Sequence, residues 1–283
     1  MRHIAAPLRR IVSRAAMNIP RILHYVWVGP QPVPEAHLAF IDGWRRVMPG
    51  WRIMAWTDAD LDWSERYLQQ AYATRGWNRV SNYLRARVLH DHGGFYLDTD
   101  VELVRPLDPL CDEDAVLGFQ QVEPCRSWVN GAVFGARPGH PFTARLIEAY
   151  RREMPGWRRM GDGHGPGLIT RLLRDAGLVR YASVPQRIAG VTLGPVEWFY
   201  PYGWREGFRP EHVRPETFAV HHWYGTVGTF RPLTVRERLR AVSAVLAPRP
   251  AAMLMRWRVE EERRRLTGQP RSPAAGPRAE APA

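Results

Sequence analysis

The chain has 283 residues, of which 45% are hydrophobic, and this size allows one large packed domain with appendages. All 40 basic residues are arginine, against 28 acidic residues, so the formal net charge is +12. The arginines are scattered rather than clustered, which argues against a nucleic-acid partner. No apolar run approaches the ~20 residues of a bilayer-spanning helix, and we expect no secretory signal.

Cysteine usage favours a cytoplasmic protein. The cysteines are Cys111 and Cys125, and two reduced thiols are commoner in such a chain than a single disulfide. The positive charge also suits phosphorylated substrates or an anionic lipid surface. We therefore expect a cytoplasmic location, and peripheral contact with the inner face of the cell membrane stays open.

The N-terminal third predicts a nucleotide-binding unit. Residues 1–18 form a basic extension, expected to be a loosely docked tail or a membrane-surface helix. Ile19 to Gly29 is an apolar, β-branched and aromatic strand candidate. Pro34 to Met48 has helical spacing, and Trp51 to Trp56 is a second strand candidate. A strand, a helix and a strand in this order predict a parallel βαβ unit.

The stretch from Ser81 to Glu102 organises the rest of the chain. Tyr83 to His90 has helical spacing, Gly93-Gly94 ends that helix, and Phe95 to Leu97 is a short apolar strand. The strand ends at Asp98-Thr99-Asp100, so two carboxylates lie where open α/β sheets bind their ligands. Carboxylates are ligands for Mg²⁺ or Mn²⁺, which also share phosphate oxygens with a substrate.

Other Asp-x-Asp triplets occur in the chain, but their surroundings differ. The triplet at 98–100 alone follows a helix, a glycine turn and an apolar strand. The others are expected in solvated loops or helix caps. They are Asp58-Ala59-Asp60, Asp60-Leu61-Asp62 and Asp112-Glu113-Asp114.

The organising stretch resembles the DXD-containing glycosyltransferases of family 32. That family includes Golgi mannosyl- and α-1,4-galactosyltransferases and bacterial capsule and lipopolysaccharide sugar transferases. Its pattern runs Ser/Ala-Asp-x-x-Arg, a Leu-Tyr-like pair, and Gly-Gly-x-Tyr-x-Asp-x-Asp. Asn82 stands where the family usually has Asp, so no carboxylate is available there. The matching residues are Ser81, Arg85, Leu89, Gly93, Gly94, Tyr96, Asp98 and Asp100.

The resemblance covers about Ile19 to Tyr224 and implies a GT-A-like α/β fold, with a Rossmann-like mixed sheet flanked by helices. It makes Trp27 a candidate for stacking on the nucleotide base, with a core position as the alternative. Trp128 to Ala136 resembles a family strand that begins near an Asn. Asn130 is therefore a candidate for hydrogen bonding to the donor sugar, and the alternative is a turn-forming Asn before Gly.

A glycine-rich loop at 161–167 resembles the Thr-Gly-Pro motif of the family. A loop of this kind can present backbone groups to a phosphate or sugar, or shape the acceptor pocket. The resemblance makes Gly165 and Pro166 substrate-binding candidates. Asp162 and His164 are weaker catalytic candidates.

Two consecutive histidines end a short strand candidate near the end of the resemblance. The family commonly has His-x-x-x-Ser-Trp here, whereas this chain has His221-His222-Trp223. Either histidine can add a metal ligand, and the sequence does not choose between them.

Two helices are predicted beyond the resemblance. The first has apolar residues at helical spacing, which are Val235, Leu239, Val242 and Leu246. The second, Ala251 to Leu266, carries apolar residues beside an arginine-rich end. We expect these helices to pack against the domain or to lie on an anionic membrane. The predicted organisation is an extension (1–18), a catalytic domain (19–230), a helical appendage (231–267) and a disordered tail (268–283).

The resemblance implies transfer of a sugar from a UDP- or GDP-sugar to a hydroxyl of a glycan or lipid-linked acceptor in surface polysaccharide synthesis. Retention of the anomeric configuration is expected, without a dedicated general base. Asp98 and Asp100 would hold Mn²⁺ or Mg²⁺, Arg85 would add positive charge, and Asn82 would contact substrate. The alternative is a non-catalytic, degenerate relative that binds a sugar nucleotide or a membrane surface.

Overall fold

A computed structural model describes residues 18–123, 126–152, 165–224 and 234–268, which form both strands and helices. The strands are β1 (Ile22–Val26), β2 (Arg52–Trp56), β3 (Gly94–Leu97), β4 (Val101–Leu103), β5 (Ala115–Glu123), β6 (Arg126–Ala136), β7 (Gln186–Ile188), β8 (Val191–Gly194) and β9 (Ala219–His221). The helices are α1 (Glu35–Val47), α2 (Arg66–Ala73), α3 (Trp77–His92), α4 (Pro141–Arg152), α5 (Pro166–Arg174), α6 (Val196–Phe199), α7 (Val235–Leu246) and α8 (Pro248–Thr267).

Several predictions fall outside the described residues. They concern the basic extension up to residue 17, Cys125, the loop positions Asp162 and His164, and the tail from residue 269. None of the described helices is both long enough and apolar enough to cross a bilayer.

The central sheet is mixed and has the order β2-β1-β3-β6-β5-β8-β7. β1 pairs in parallel with β2 and β3, whereas β6 runs antiparallel to β3 and β5. The predicted βαβ unit and the α/β class are therefore confirmed. The carboxyl ends of β1, β2 and β3 lie at one edge of the sheet, where ligands bind in such folds.

Apolar side chains fill both faces of this sheet. Along β3, Phe95 and Leu97 belong to one hydrophobic cluster and Tyr96 belongs to the other, as the alternation of side chains on a strand requires. Residues of α2, α3, α4, α5 and α8 cover the Tyr96 face, and residues of α1 cover the opposite face.

Two glycines make the turn from α3 into β3. Gly93 has a φ of +64° and Gly94 a φ of +102°, a region that glycine adopts without strain. A Cβ atom on Gly94 would lie 2.5 Å from the Ile22 carbonyl oxygen. Glycine therefore allows β3 to pair with β1 directly after the helix. The turn was predicted correctly, although α3 begins at Trp77 rather than near Tyr83.

A separate two-stranded sheet links the aspartates to the C-terminal histidines. β4 pairs antiparallel with β9, and Val101 lies opposite His221. The Asp100 carbonyl accepts a 2.9 Å hydrogen bond from the His222 N–H. This pairing fixes the distance between two segments that are far apart in sequence.

The prediction that the other Asp-x-Asp triplets lie in solvated loops or helix caps is wrong for Asp58, which is buried. Its carboxylate accepts hydrogen bonds from the Gly29 N–H at 3.0 Å and the Tyr72 hydroxyl at 2.7 Å. Asp60, in contrast, caps a short helical turn by accepting from the Thr57 N–H at 2.7 Å, as predicted.

Candidate active site

Two aspartates and one histidine converge beyond the end of β3. Asp98 and Asp100 follow β3 directly, and His221 is the last residue of β9. The His221 Nε2 atom lies 3.2 Å from Asp100 Oδ1. One ligand atom from each of the three side chains lies within 4.8 Å of the other two. The described fold therefore brings together the Asp98-Thr99-Asp100 triplet and one of the two histidines.

This set of side chains fits a small divalent cation. Carboxylate oxygens are the preferred ligands of Mg²⁺ and Mn²⁺, and imidazole nitrogen suits a transition metal. The Nδ1 atom of His221 is buried and has no hydrogen-bond partner among the described residues. Buried polar atoms normally have a partner, so Nδ1 can meet a group that the chain itself does not supply, while Nε2 faces the Asp100 carboxylate.

Arg85 and Tyr96 hold the carboxylate of Asp98. The Arg85 guanidinium donates a 2.6 Å hydrogen bond, and the Tyr96 hydroxyl a 2.7 Å hydrogen bond, to Asp98 Oδ1. The guanidinium carbon also lies 4.3 Å from the centre of the Tyr96 ring. Both bonds use one carboxylate oxygen, so the other oxygen is not needed to anchor the side chain.

Arg85 provides a buried positive charge at this edge. Burial is the largest single influence and opposes the charge, but the Asp98 carboxylate together with Tyr96 and Tyr150 outweighs it, so the pKa of the Arg85 guanidinium lies above its ordinary value. A Cβ atom at position 131 would lie 2.9 Å from Arg85 Nη1. Gly131 therefore gives the guanidinium its space.

Aromatic side chains lie at the carboxyl end of β1. The indole N–H of Trp27 donates to the Gln31 carbonyl at 2.7 Å, and its ring meets the His37 ring edge to face at 5.6 Å. Trp27 is half-buried and belongs to neither hydrophobic cluster of the described residues. Part of its surface is therefore accessible at the ligand-binding edge.

His37 is a residue of this site that the sequence pattern did not single out. It lies in the first turn of α1, and its Nδ1 atom is 2.8 Å from the Thr99 hydroxyl, between the two aspartates. Burial lowers the pKa of His37, although Asp100 acts in the opposite direction. The sequence could have pointed to His37 through its position, because the helix that follows β1 begins at the ligand-binding edge of the sheet.

His222 belongs to a neighbouring cluster. Its Nε2 atom lies 2.9 Å from Glu102 Oε2, and its Nδ1 atom lies 3.3 Å from the Tyr202 hydroxyl. Its ring stacks on Phe40 with centroids 4.9 Å apart. The structure therefore places His221 with the aspartates and His222 with Glu102. Metal binding by His221 stays a prediction.

An aromatic pocket of about 480 Å³ opens beside His222. Its lining is mainly aromatic, with Glu206 as a carboxylate. Pockets of this kind bind ligands through apolar faces and a few polar groups. The Trp223 ring, which lines this pocket, lies 4.2 Å from the His221 ring, so the pocket adjoins the aspartate–histidine cluster. The aromatic lining residues other than His222 are Tyr202, Trp204, Phe208, Trp223 and Tyr224.

Asn130 is buried within β6, so the alternative of a turn at Asn130-Gly131 is wrong. The Asn130 amide donates to the side-chain oxygen of Gln120 and accepts a 2.8 Å hydrogen bond from the Ala132 N–H. The protein itself thus uses both ends of the amide. Contact between Asn130 and a donor sugar stays a prediction.

Asn82 and the start of α5 lie close together. A Cβ atom on Gly165 would lie 3.4 Å from the Asn82 Nδ2 atom. Gly165 has a φ of +52°, and Pro166 is the first residue of α5. Residues from α3 and from the end of the glycine-rich loop therefore meet, and their contact with substrate stays a prediction.

A mixed α/β sheet with an Asp-x-Asp triplet beyond a parallel strand fits the glycosyltransferase class and the GT-A-like fold that the sequence resemblance implies. A sequence profile described as "Glycosyltransferase sugar-binding region containing DXD motif" matches residues 34–117. Lactosylceramide 4-alpha-galactosyltransferase of Pongo pygmaeus is 31% identical over 179 residues, which cover 60% of this chain and 78% of that protein. The chain belongs to the DXD-containing glycosyltransferase family.

Other relatives are longer than the matched region. The Homo sapiens lactosylceramide 4-alpha-galactosyltransferase is 31% identical over 179 residues, which cover 60% of this chain and 48% of that protein. Inositol phosphoceramide mannosyltransferase 1 of Schizosaccharomyces pombe is 29% identical over 142 residues, which cover 46% of this chain and 42% of that protein. The chain thus spans about half the length of these two relatives or less.

Solved structures give weaker likenesses. PaToxG glycosyltransferase is 16% identical with a TM-score of 0.44, and the match covers 56% of this chain and 69% of that one. The galactosyltransferase LgtC is 13% identical with a TM-score of 0.39, over 78% and 95% of the two chains. Family membership rests on the sequence relatives.

Proposed function

We propose that this glycosyltransferase is metal-dependent and moves a sugar from a UDP- or GDP-sugar to a hydroxyl of a glycan or lipid-linked acceptor. The observation that carries the proposal is the grouping of Asp98, Asp100 and His221 at the carboxyl edge of β3. A nucleotide diphosphate needs countercharge at its leaving group, and this grouping fits a cation that would supply it.

Asp98, Asp100 and His221 would hold Mn²⁺ or Mg²⁺. When bound, the cation would act as a Lewis acid that neutralises charge on the diphosphate. The hydrogen bonds from Arg85 and Tyr96 keep the Asp98 carboxylate in one orientation before any ligand arrives. Preorganisation of this kind lowers the reorganisation needed during reaction.

The donor would lie along the edge between β1 and β3. The accessible part of Trp27 would stack on the base, and the positive charge of Arg85 would lie on the diphosphate side. His37 would act as a positioning residue, because its hydrogen bond to Thr99 orients the segment that carries both aspartates.

The reaction would proceed with retention of configuration. The bond from the acceptor oxygen to the anomeric carbon forms on the face where the bond to the diphosphate breaks, and the acceptor proton passes to the departing phosphate oxygen. Of the nearby carboxylates, Asp98 is paired with Arg85 and Glu102 with His222. These pairings support a mechanism without a protein nucleophile at those two positions.

The acceptor would enter through the aromatic pocket beside His222. Aromatic faces suit the apolar C–H faces of a sugar ring, and Glu206 could accept hydrogen bonds from hydroxyls. Two relatives are named for lactosylceramide and inositol phosphoceramide, which favours a lipid-linked acceptor. A role in bacterial surface polysaccharide synthesis and a cytoplasmic location stay predictions.

Thermal unfolding with UDP or GDP, each with and without Mn²⁺, tests the donor site. A ligand bound only by the folded state at ~100 times its dissociation constant adds about 2.7 kcal/mol. We expect one nucleotide to stabilise the wild type in the presence of Mn²⁺ but not Asp100→Asn. The control is Asp112→Asn, which alters an exposed aspartate of another Asp-x-Asp triplet.

Stabilisation that is independent of Mn²⁺, or retained in Asp100→Asn, would refute the metal-dependent donor site. The non-catalytic alternative makes a different prediction. It expects the same Mn²⁺-dependent stabilisation, but neither transfer nor slow hydrolysis of any UDP- or GDP-sugar offered. Detection of the released nucleotide distinguishes the two.

A further inference from the structure

Helix α7 turns its apolar row away from the protein. Val235, Leu239, Val242 and Leu246 lie within about 60° of one another around the helix axis, and their side chains are 73%, 64%, 37% and 79% exposed. Ala244, on the opposite side of the helix, is 1% exposed. This row therefore does not pack against the part of the domain that the structure describes.

Helix α8 repeats this arrangement. Ala252, Met255 and Val259 are buried on one side, and Met255 and Val259 belong to a hydrophobic cluster of the domain. Three large apolar residues project on the opposite side of the same turns, and all are more than half exposed. These are Met253, Leu254 and Trp257.

We call these seven exposed residues of α7 and α8 the outer face. Singly exposed apolar residues are normal, but a contiguous group of large ones marks an interaction surface. No described residue covers the outer face, so its partner is not part of the described chain.

Charge indicates which partner fits. Residues 234–268 contain nine arginines and four glutamates. Arg236, Arg249 and Arg258 are exposed and lie beside the outer face in sequence. Apolar residues combined with flanking arginines are typical of helices that lie on anionic bilayers.

The same charge argues against two other occupants. A second copy of this chain would bring an equally arginine-rich surface against the first. Residues 1–17 contain four arginines and no acidic residue, so they would also bring like charge. A bilayer with anionic headgroups offers both an apolar interior and opposite charge.

We propose that the outer face docks the enzyme on an anionic lipid bilayer. Docking would bring the edge between β1 and β3, where the donor is proposed to bind, close to the membrane, because α8 is attached to that edge. Arg263 of α8 donates to the Asp58 carboxylate and to the Gly29 carbonyl, and Gly29 lies two residues after Trp27. Arg75 and Glu262 form a second link at 2.7 Å.

Vesicle co-sedimentation of the full chain without nucleotide tests the docking surface independently of the proposed reaction. Phosphatidylcholine vesicles are compared with vesicles that also contain phosphatidylglycerol, at low and high salt. We expect binding to the anionic vesicles alone, weakened by salt. Combining Leu239→Glu with Leu246→Glu should weaken binding at least about tenfold, and Arg236→Gln should weaken it roughly fivefold.

The matched control is Val179→Glu, which places the same charge at a residue that is 89% exposed outside α7 and α8. It should bind vesicles like the wild type. Equal binding to both vesicle types, or wild-type binding by the double variant, would overturn the proposal. If the wild type is a dimer and the double variant is a monomer, the outer face binds a second copy instead. If the double variant loses much thermal stability, another part of the chain itself covers the outer face.

Discussion

The edge of the sheet that carries the aspartate–histidine cluster and the outer face of α7 and α8 both depart from the usual arrangement, in which apolar side chains are buried and charged ones are exposed. At the edge, charged and polar groups are inside, since Arg85, Asp100 and His221 are 5%, 6% and 6% exposed. On the outer face, large apolar groups such as Leu239 and Leu246 are outside. Both arrangements are unfavourable unless a partner compensates them.

The two regions differ in where that compensation is found. The buried groups of the edge are paired mainly within the chain, as Arg85 is with Asp98. The outer face has no cover within the described residues. Substitutions at the edge should therefore reduce stability as well as activity, whereas substitutions on the outer face should affect lipid binding alone.

The largest effect on stability is expected from Arg85→Met. Removal of one partner from a buried ion pair costs about 3–5 kcal/mol, and we expect the lower end because the Asp98 side chain is 28% exposed. Urea denaturation measures the loss. Adding Asp98→Asn should recover part of it, because the unpaired charge is then removed. Additive losses in the double variant would show that the two residues are not coupled.

A second buried polar group, His24, should make stability depend on pH. His24 Nε2 lies 2.7 Å from the Gly93 carbonyl, and the Trp56 indole N–H donates to its Nδ1 at 3.1 Å. Burial lowers the pKa of His24 from 6.5 to about 4. The neutral ring fits this pair of contacts, whereas a protonated Nδ1 would face the Trp56 donor.

In the folded state the His24 imidazole resists protonation. Its contribution to the free energy of unfolding is therefore present above pH 6.5 and is lost as the pH falls towards about 4. The loss is about 3 kcal/mol when complete. His24→Gln keeps one donor and one acceptor without titrating in this range. Urea denaturation at several pH values in this range gives the free energy of unfolding. This free energy should change less with pH in the variant than in the wild type, and an equal change in both would contradict the assignment of the effect to His24.

Activity should separate the two consecutive histidines. We expect His221→Ala to lower kcat/KM at least about 100-fold and to raise the Mn²⁺ concentration needed. His222→Ala removes the partner of Glu102 and should act mainly through KM for the acceptor. Steady-state kinetics at several Mn²⁺ concentrations gives both values. Equal Mn²⁺ dependence of the two variants would contradict the placement of His221 with the aspartates.

The smallest effect on stability is expected on the outer face. Leu239→Ser changes a side chain that is 64% exposed, so the free energy of unfolding should change by no more than about 0.5 kcal/mol. Leu173→Ser, at a buried position of α5, should cost several times more. Thermal unfolding compares the two, and a large loss for Leu239→Ser would show that the outer face is covered in solution.

The sequence predicted the parts of the site that depend on local patterns. The helix, the glycine turn and the strand before Asp98 all follow from contiguous residues, as does the helical period of α7. Period alone does not tell which side of a helix faces the core, so the same row of Leu239 and Leu246 was compatible with packing or with exposure.

Long-range contacts account for what was missed. The pairing of β4 with β9 decides that His221, rather than His222, meets Asp100, and no spacing encodes it. His37 reaches Thr99 only because α1 begins at the same edge of the sheet. The side-chain pairing of Asn130 with Gln120 likewise joins two strands.

The link from Arg263 to Asp58 bears on where the chain can be shortened. The family resemblance ends near Tyr224, which invites a minimal version that stops before α7. Such a truncation would leave the buried Asp58 carboxylate without its cation and would remove Met255 and Val259 from the core. We therefore expect a fragment ending at residue 230 to unfold at a markedly lower urea concentration than the whole chain, so useful boundaries lie beyond Arg263.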